Sequence, residues 1–193
     1  ITDLAMHLVG EIDSVVGMTE TFIKERPLSD ASDASLGAKG GRSRKKGKVT
    51  VEDACLFLAK FKNGALGSFE ATRFAKGRRN HNRFEINGSK GSIVFNLEKM
   101  NEIQFFSDDD DSHVQGFREI IVGEGDHPYM SAWWPPGHII GWEHTFTHEF
   151  RDFLEAVARN KKVTPDFRDA GEAMAEMAAT VTNNPHVLSL IHI

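Results

Sequence analysis

The chain has one cysteine in 193 residues, which excludes an internal disulfide. That residue, Cys55, lies in the apolar run Ala54-Cys55-Leu56-Phe57-Leu58-Ala59, where a thiol is expected to be buried and inert rather than nucleophilic. No apolar stretch reaches the roughly 18–20 residues of a membrane-spanning helix, and no signal peptide is visible. No membrane partner is therefore expected. The location is read as cytoplasmic, with a targeting signal ahead of Ile1 left open. The net charge of -5 argues against general nucleic-acid binding.

Two phosphate- and metal-binding patterns are also missing. The basic run Gly41-Arg42-Ser43-Arg44-Lys45-Lys46-Gly47-Lys48 has five residues between its outer glycines and Val49 where a magnesium-binding Ser or Thr belongs, so it is no phosphate loop. It belongs instead to a stretch from Leu28 to Lys48 that is poor in apolar residues and reads as a long mobile loop. Asp108-Asp109-Asp110-Asp111 lacks the spaced ligands and the glycine of a calcium loop and reads as solvated.

What remains is ordinary globular composition, 40% hydrophobic and 26% charged, sufficient for a core in one or two domains. The segment Asp3-Leu4-Ala5-Met6-His7-Leu8-Val9-Gly10 reads as a helix stopped by glycine. Asp3 and His7 are four apart, so they share one helix face, while Leu4, Ala5, Leu8 and Val9 are expected to pack inward. A carboxylate beside an imidazole suits a general base near neutral pH. The same spacing also fits a plain surface ion pair.

Downstream, Ser14 to Ile23 is rich in β-formers and reads as a strand ended by Arg26-Pro27. Cys55 to Lys62 and Ala65 to Arg73 flank Asn63-Gly64, a strong hairpin signal. Arg83 to Asn87 and Ser92 to Asn96 flank Gly88-Ser89-Lys90-Gly91, a second hairpin whose Asn87-Gly88-Ser89 triplet reads as turn chemistry. Asn101 to Phe106 and Gly116 to Val122 add further strands. Two amphipathic helices follow, Thr145 to Arg159 with Phe146, Phe150, Phe153, Leu154 and Val157 in its stripe, and Asp169 to Thr180; both stripes are expected to pack in the core. The fold class is thus α+β, an open, mainly antiparallel sheet of six or more strands with helices on one face.

Candidate binding groups lie outside the regular elements. His127 to His138 holds Trp133-Trp134-Pro135-Pro136-Gly137, a stiff aromatic loop that offers flat faces to a sugar ring, or else folds over a sheet edge. Trp134 and His138 are its substrate-binding candidates. Arg73, Asn80 and Asn82 follow strands and carry hydroxyl-reading groups. His144 and His148 are four apart on a helix but lack a third ligand, so no metal is expected.

The Asp3-x-x-x-His7 helix continuing as Leu8-Val9-Gly10, the sheet pieces Val51-Glu52-Asp53-Ala54, Asn63-Gly64-Ala65-x-Gly67-x-Phe69-Glu70-Ala71-x-Arg73 and Glu85-Ile86-Asn87-Gly88-x-x-Gly91-Ser92, and Gly141-Trp142-Glu143-His144 before a long helix together resemble the C-terminal domain of the Gfo/Idh/MocA oxidoreductases. The likeness covers roughly residues 1–187. It implies a two-domain enzyme in which an N-terminal Rossmann domain binds NAD or NADP and this domain binds a sugar or polyol. It implies catalytic roles for His7, which would take the hydroxyl proton, and Asp3, which would hold substrate or steady the other groups. It also implies a homo-oligomer formed through the sheet, for which Phe69 and Ala71 are candidates.

Neither a Gly-x-Gly-x-x-Gly nor the family's Glu-Lys-Pro occurs here, so no cofactor-binding residue is assigned in this chain and the polypeptide alone is expected to be inactive. Ile1 is not an initiator Met, and Leu188-Ser189-Leu190-Ile191-His192-Ile193 matches the translation of a sequencing-library adapter. Residues 1–187 therefore read as one N-terminally truncated domain and 188–193 as a non-native tail. The alternative from a different class is a non-catalytic carbohydrate-binding or dimerisation module.

Overall fold

The computed structural model describes residues 1–28, 45–163 and 165–166. The predicted helix 169–180, the tail 188–193 and most of the predicted loop 28–48 lie outside the described residues. Ile1–Lys76 and Gly77–Asp166 each form a compact unit.

The first unit contains α1 (Thr2–Val9), β1 (Ile12–Glu20), β2 (Glu25–Pro27), β3 (Lys46–Lys48), β4 (Ala54–Phe61) and β5 (Leu66–Thr72). β4 lies between β1 and β5 in an antiparallel sheet. The end of the predicted loop is a strand instead, because Lys46–Lys48 pairs antiparallel with Glu25–Pro27.

Strict alternation in β4 puts Cys55, Phe57 and Phe61 on the inner face with Ala59, all buried. They form the core with Ile12 and Val15, and Phe69 stacks on Phe57 with ring centres 4.4 Å apart. Ile12 and Val15 both reach this core although an odd spacing separates them. A register shift between Ile12 and Ser14 resets the alternation, which is the effect of a β-bulge. Gly17 lies opposite Phe57, and a Cβ there would come within 2.6 Å of the Phe57 Cβ, so the close pairing of β1 with β4 needs glycine. Burial, with a smaller push from Glu52, raises the Cys55 thiol pKa, which leaves it the inert core residue expected.

Phe69 and Ala71, the candidates for an oligomer surface, pair with Phe57 and Cys55 on the inner side, so they do not lie on the bare face. The bare face carries Val16, Met18, Leu56, Leu58 and Leu66, all exposed.

The second unit contains β6 (Arg83–Asn87), β7 (Gly91–Asn96), β8 (Glu102–Ser107) and β9 (Arg118–Ile121), an antiparallel meander in sequence order, and then α2 (Trp142–Ala158). Ser92 Oγ donates to Asn87 Oδ1 at 2.7 Å and Gly88 N donates to Gly91 O at 2.8 Å, so the Asn87 triplet is turn chemistry. The predicted α+β class with mainly antiparallel strands holds; among the described residues nine strands are grouped as sheets of three, two and four.

α2 departs from the packing expected of it. Its apolar stripe, Phe146, Phe150, Phe153, Leu154 and Val157, is exposed, while His144, His148 and Asp152 are the half-buried side. The reason is that the loop ahead of α2 offers hydrogen-bonding aromatic partners to the polar face.

Candidate functional site

α1 is short, and Ile1 at its N-terminus supplies no side-chain cap. Asp3 lies in the first turn, where the helix dipole favours a negative charge, and His7 lies in the last. Gly10 donates its N–H to Met6 O with φ at 125°, a backbone region open to glycine. Ala5, Met6 and Val9 pack on the core. Met6, partly buried, thus takes the place against the core expected of Leu4 and Leu8, and Leu8 is exposed. The last turn is fastened from outside the helix by Asn63, whose Nδ2 donates to Val9 O at 2.7 Å while Oδ1 accepts from Ala65 N at 3.0 Å. Sequence reading assigned Asn63 to the turn alone. Its second bond depends on α1 ending beside the hairpin, which no local signal announces.

Asp3 and His7 are both exposed, on the side of α1 away from the core. Among the described residues neither has a hydrogen-bond or ion-pair partner, so the surface ion pair allowed by the spacing is not formed. A carboxylate and an imidazole one turn apart on a helix held by the core and by Asn63 can act together on one hydroxyl.

Arg73 follows β5, its N–H donates to Asp53 O at 2.9 Å, and its side chain is exposed. Among the described residues of this unit, Asp53 is the strongly buried carboxylate. Its Oδ2 accepts from Ile23 N at 2.9 Å and its Oδ1 from Arg26 Nη2 at 2.5 Å. The Ile23 N–H holds the Asp53 carboxyl below the usual carboxylate range; burial opposes this and the Arg26 charge adds to it. Asp53 is an anchor of the chain between β1 and β2, and sequence reading had noted it only as part of a sheet segment.

The remaining candidates lie in the second unit. Asn82 precedes β6, and its Oδ1 is buried without a hydrogen-bond partner among the described residues. An acceptor left in that state costs about 1–3 kcal/mol. Asn80 adopts φ of 54° in the preceding exposed turn. Glu98 organises that turn by accepting from Arg79 N and Arg78 Nη1 and bonding His81 Nδ1.

The two tryptophans of the loop do different work. Trp134 is 72% exposed, and its ring centre lies 5.8 Å from that of His138. His138 Nδ1 is 2.8 Å from Pro135 O and therefore donates to it, which leaves the other ring nitrogen as an acceptor. Trp133 is half-buried and donates to His148 Nε2 at 2.7 Å. At the far end of the loop, Asn101 bonds both the N–H and the carbonyl of Ile140 at 2.8 Å. His144 Nδ1 accepts from Gly141 N at 3.0 Å. Among the described residues no group of three or more His, Cys, Asp or Glu gathers as a metal site.

Every strand pairing among the described residues is antiparallel. The parallel βαβ crevice that holds a dinucleotide is not built by these residues.

Comparison with known proteins agrees with the fold. Residues 1–94 match the family model of the GFO/IDH/MocA C-terminal domain. A levoglucosan dehydrogenase of Pseudarthrobacter phenanthrenivorans is 40% identical over 186 residues, covering 93% of this chain and 47% of that protein. The crystal structure of an oxidoreductase domain protein from Kribbella flavida superposes with a TM-score of 0.79 at 42% identity, over 95% of this chain and 46% of the other. A levoglucosan dehydrogenase in complex with NADH and levoglucosan gives a TM-score of 0.77 at 36% identity, over 95% and 47%. The chain spans about half the length of the curated relative it matches.

Proposed function

Because this chain carries the C-terminal domain of the Gfo/Idh/MocA family, we propose that it is the substrate half of an NAD(P)-dependent oxidoreductase acting on a sugar or polyol hydroxyl. The observation that carries this reading is the exposed, unpartnered Asp3 and His7 pair, one turn apart on a helix fixed by the core and by Asn63. His7 accepts the proton of the substrate hydroxyl, and Asp3 accepts a hydrogen bond from the substrate and fixes its orientation. NAD or NADP, held by a nucleotide-binding domain outside these residues, supplies the hydride acceptor. Residues 1–187 without such a domain bind substrate but do not turn it over.

Arg73, Asn82, Trp134 and His138 are the substrate-binding candidates. Trp134 offers its ring face, His138 an acceptor nitrogen, and the Asn82 oxygen an unmet need for a donor. The exposed tryptophan also supports the second reading, a carbohydrate-binding module without chemistry. The bare sheet face of Val16, Met18, Leu56, Leu58 and Leu66 is the surface we assign to a homo-oligomer.

His7→Ala in the full-length protein separates the readings. Catalysis by His7 requires kcat to fall by roughly 10²–10⁴ while substrate binding persists; unchanged turnover leaves only the binding module.

A further inference from the structure

His148 occupies the side of α2 that meets the preceding loop, and its contacts dictate its protonation state. Trp133 Nε1–H points at His148 Nε2 across 2.7 Å. An indole nitrogen only donates, so His148 Nε2 must present a lone pair and the ring must be neutral, with its proton on Nδ1. The Tyr129 ring lies flat on the imidazole at 4.3 Å and 9°. The Tyr129 hydroxyl in turn donates to Asp152 Oδ2 at 2.6 Å, one helical turn beyond His148. His144, one turn before, meets Trp133 edge-on at 4.5 Å. The Arg151 guanidinium lies 5.9 Å from the Tyr129 ring centre and is paired with Asp152. Among the described residues, Tyr129, His144, Arg151 and Asp152 are the titratable and charged groups around His148.

We infer that His148 is a positioning residue, a neutral imidazole latch that holds the Trp133–His138 segment on α2 and releases it on protonation. A proton on Nε2 sets two N–H donors against each other across the same 2.7 Å, and the attraction becomes a repulsion. The surroundings favour the neutral ring. Burial, and then the charge of His144, push the His148 pKa below its ordinary value, while Asp152 pulls it part of the way back. For a depressed histidine, the stability contributed by the neutral ring is present above about pH 6.5 and is lost as pH falls through the folded-state pKa. The segment so released carries Trp134 and His138. Its effect on substrate rests on the function proposed above; the latch itself does not.

The test is the indole N–H spectrum of the chain labelled with nitrogen-15 tryptophan, titrated from about pH 7.5 to about pH 5. Trp133→Phe identifies the Trp133 signal. The latch requires that signal to leave its hydrogen-bonded position in one acid step centred below about pH 6.5. His148→Gln keeps an acceptor that does not titrate, and must hold the signal in place over the whole range. A Trp133 signal that stays put in the unaltered chain, or that still moves in His148→Gln, overturns the proposal. Should His148→Gln fail to fold, Trp133→Phe decides by itself: the pKa read from the His148 ring protons must rise once the donor is gone, and an unchanged value overturns the latch. Neither readout involves a sugar, so a failure here is distinct from a failure of the catalytic reading.

Discussion

α1 turns Ala5, Met6 and Val9 onto the core of its sheet and leaves Asp3 and His7 in water, whereas α2 turns His144, His148 and Asp152 inward and leaves five large apolar side chains exposed. The first unit is accordingly held by close hydrocarbon packing around Phe57 and Phe61. The second holds its helix through an indole–imidazole bond, a stacked tyrosine and a phenol–carboxylate bond. An amphipathic period shows that a segment can form a helix with two unlike faces. Which face is covered depends on what the rest of the chain brings to it.

The same truncation in the two units exposes the contrast most strongly. Phe57→Ala removes a 9%-exposed ring stacked on Phe69 and is expected to cost about 3–5 kcal/mol in urea unfolding. A cost below about 1 kcal/mol would show that the apparent core carries little of the stability. A smaller effect is expected from the polar anchor of the first unit. Asp53→Asn keeps the shape but removes the charge facing Arg26, and a drop of several degrees in Tm at neutral pH is predicted. Since the folded Asp53 pKa is lowered, its contribution is full above the ordinary carboxylate range and is lost as pH falls through the folded value. The Tm difference between the two proteins must therefore shrink in acid; a constant difference would assign the effect to packing. The smallest effect belongs to Phe150→Ala, which removes a 64%-exposed ring and should change stability by no more than about 0.5 kcal/mol. A larger loss would mean that the stripe on α2 is covered in the chain in solution, and the contrast between the two helices would disappear.

Much of the local architecture was legible because it rests on short-range rules. Asn63-Gly64 and Gly88-Ser89-Lys90 closed hairpins where the turn chemistry placed them, and the positive φ of Gly64 is the conformation that such a turn asks of a glycine. The spacing of Asp3 and His7 placed both on one helix face by geometry alone. Other features were hidden because they depend on partners far along the chain. Lys46–Lys48 reads as a solvated basic run until Glu25–Pro27 lies beside it. Met6 rather than Leu4 and Leu8 enters the core because the line of approach of α1 to the sheet selects the buried arc. Phe69 faces inward because its register with Phe57 says so, and the small residues Gly67 and Ala71 that share its face in β5 give the sequence too little apolar contrast to announce it.

The amino-acid order alone decided where strands turn, which segments coil into helices, that Cys55 is an inert core residue, and that an acid and an imidazole share one helical face. Tertiary structure decided the rest: that Asp3 and His7 stand unpaired among the described residues, that Asn63 ties their helix to a hairpin, that Trp133 is committed to His148 while Trp134 remains open, and that α2 exposes its apolar stripe. The division has one cause. Backbone propensity and side-chain period act over a few residues and are written locally, whereas burial and hydrogen-bond pairing depend on contacts between segments that only the folded chain brings together.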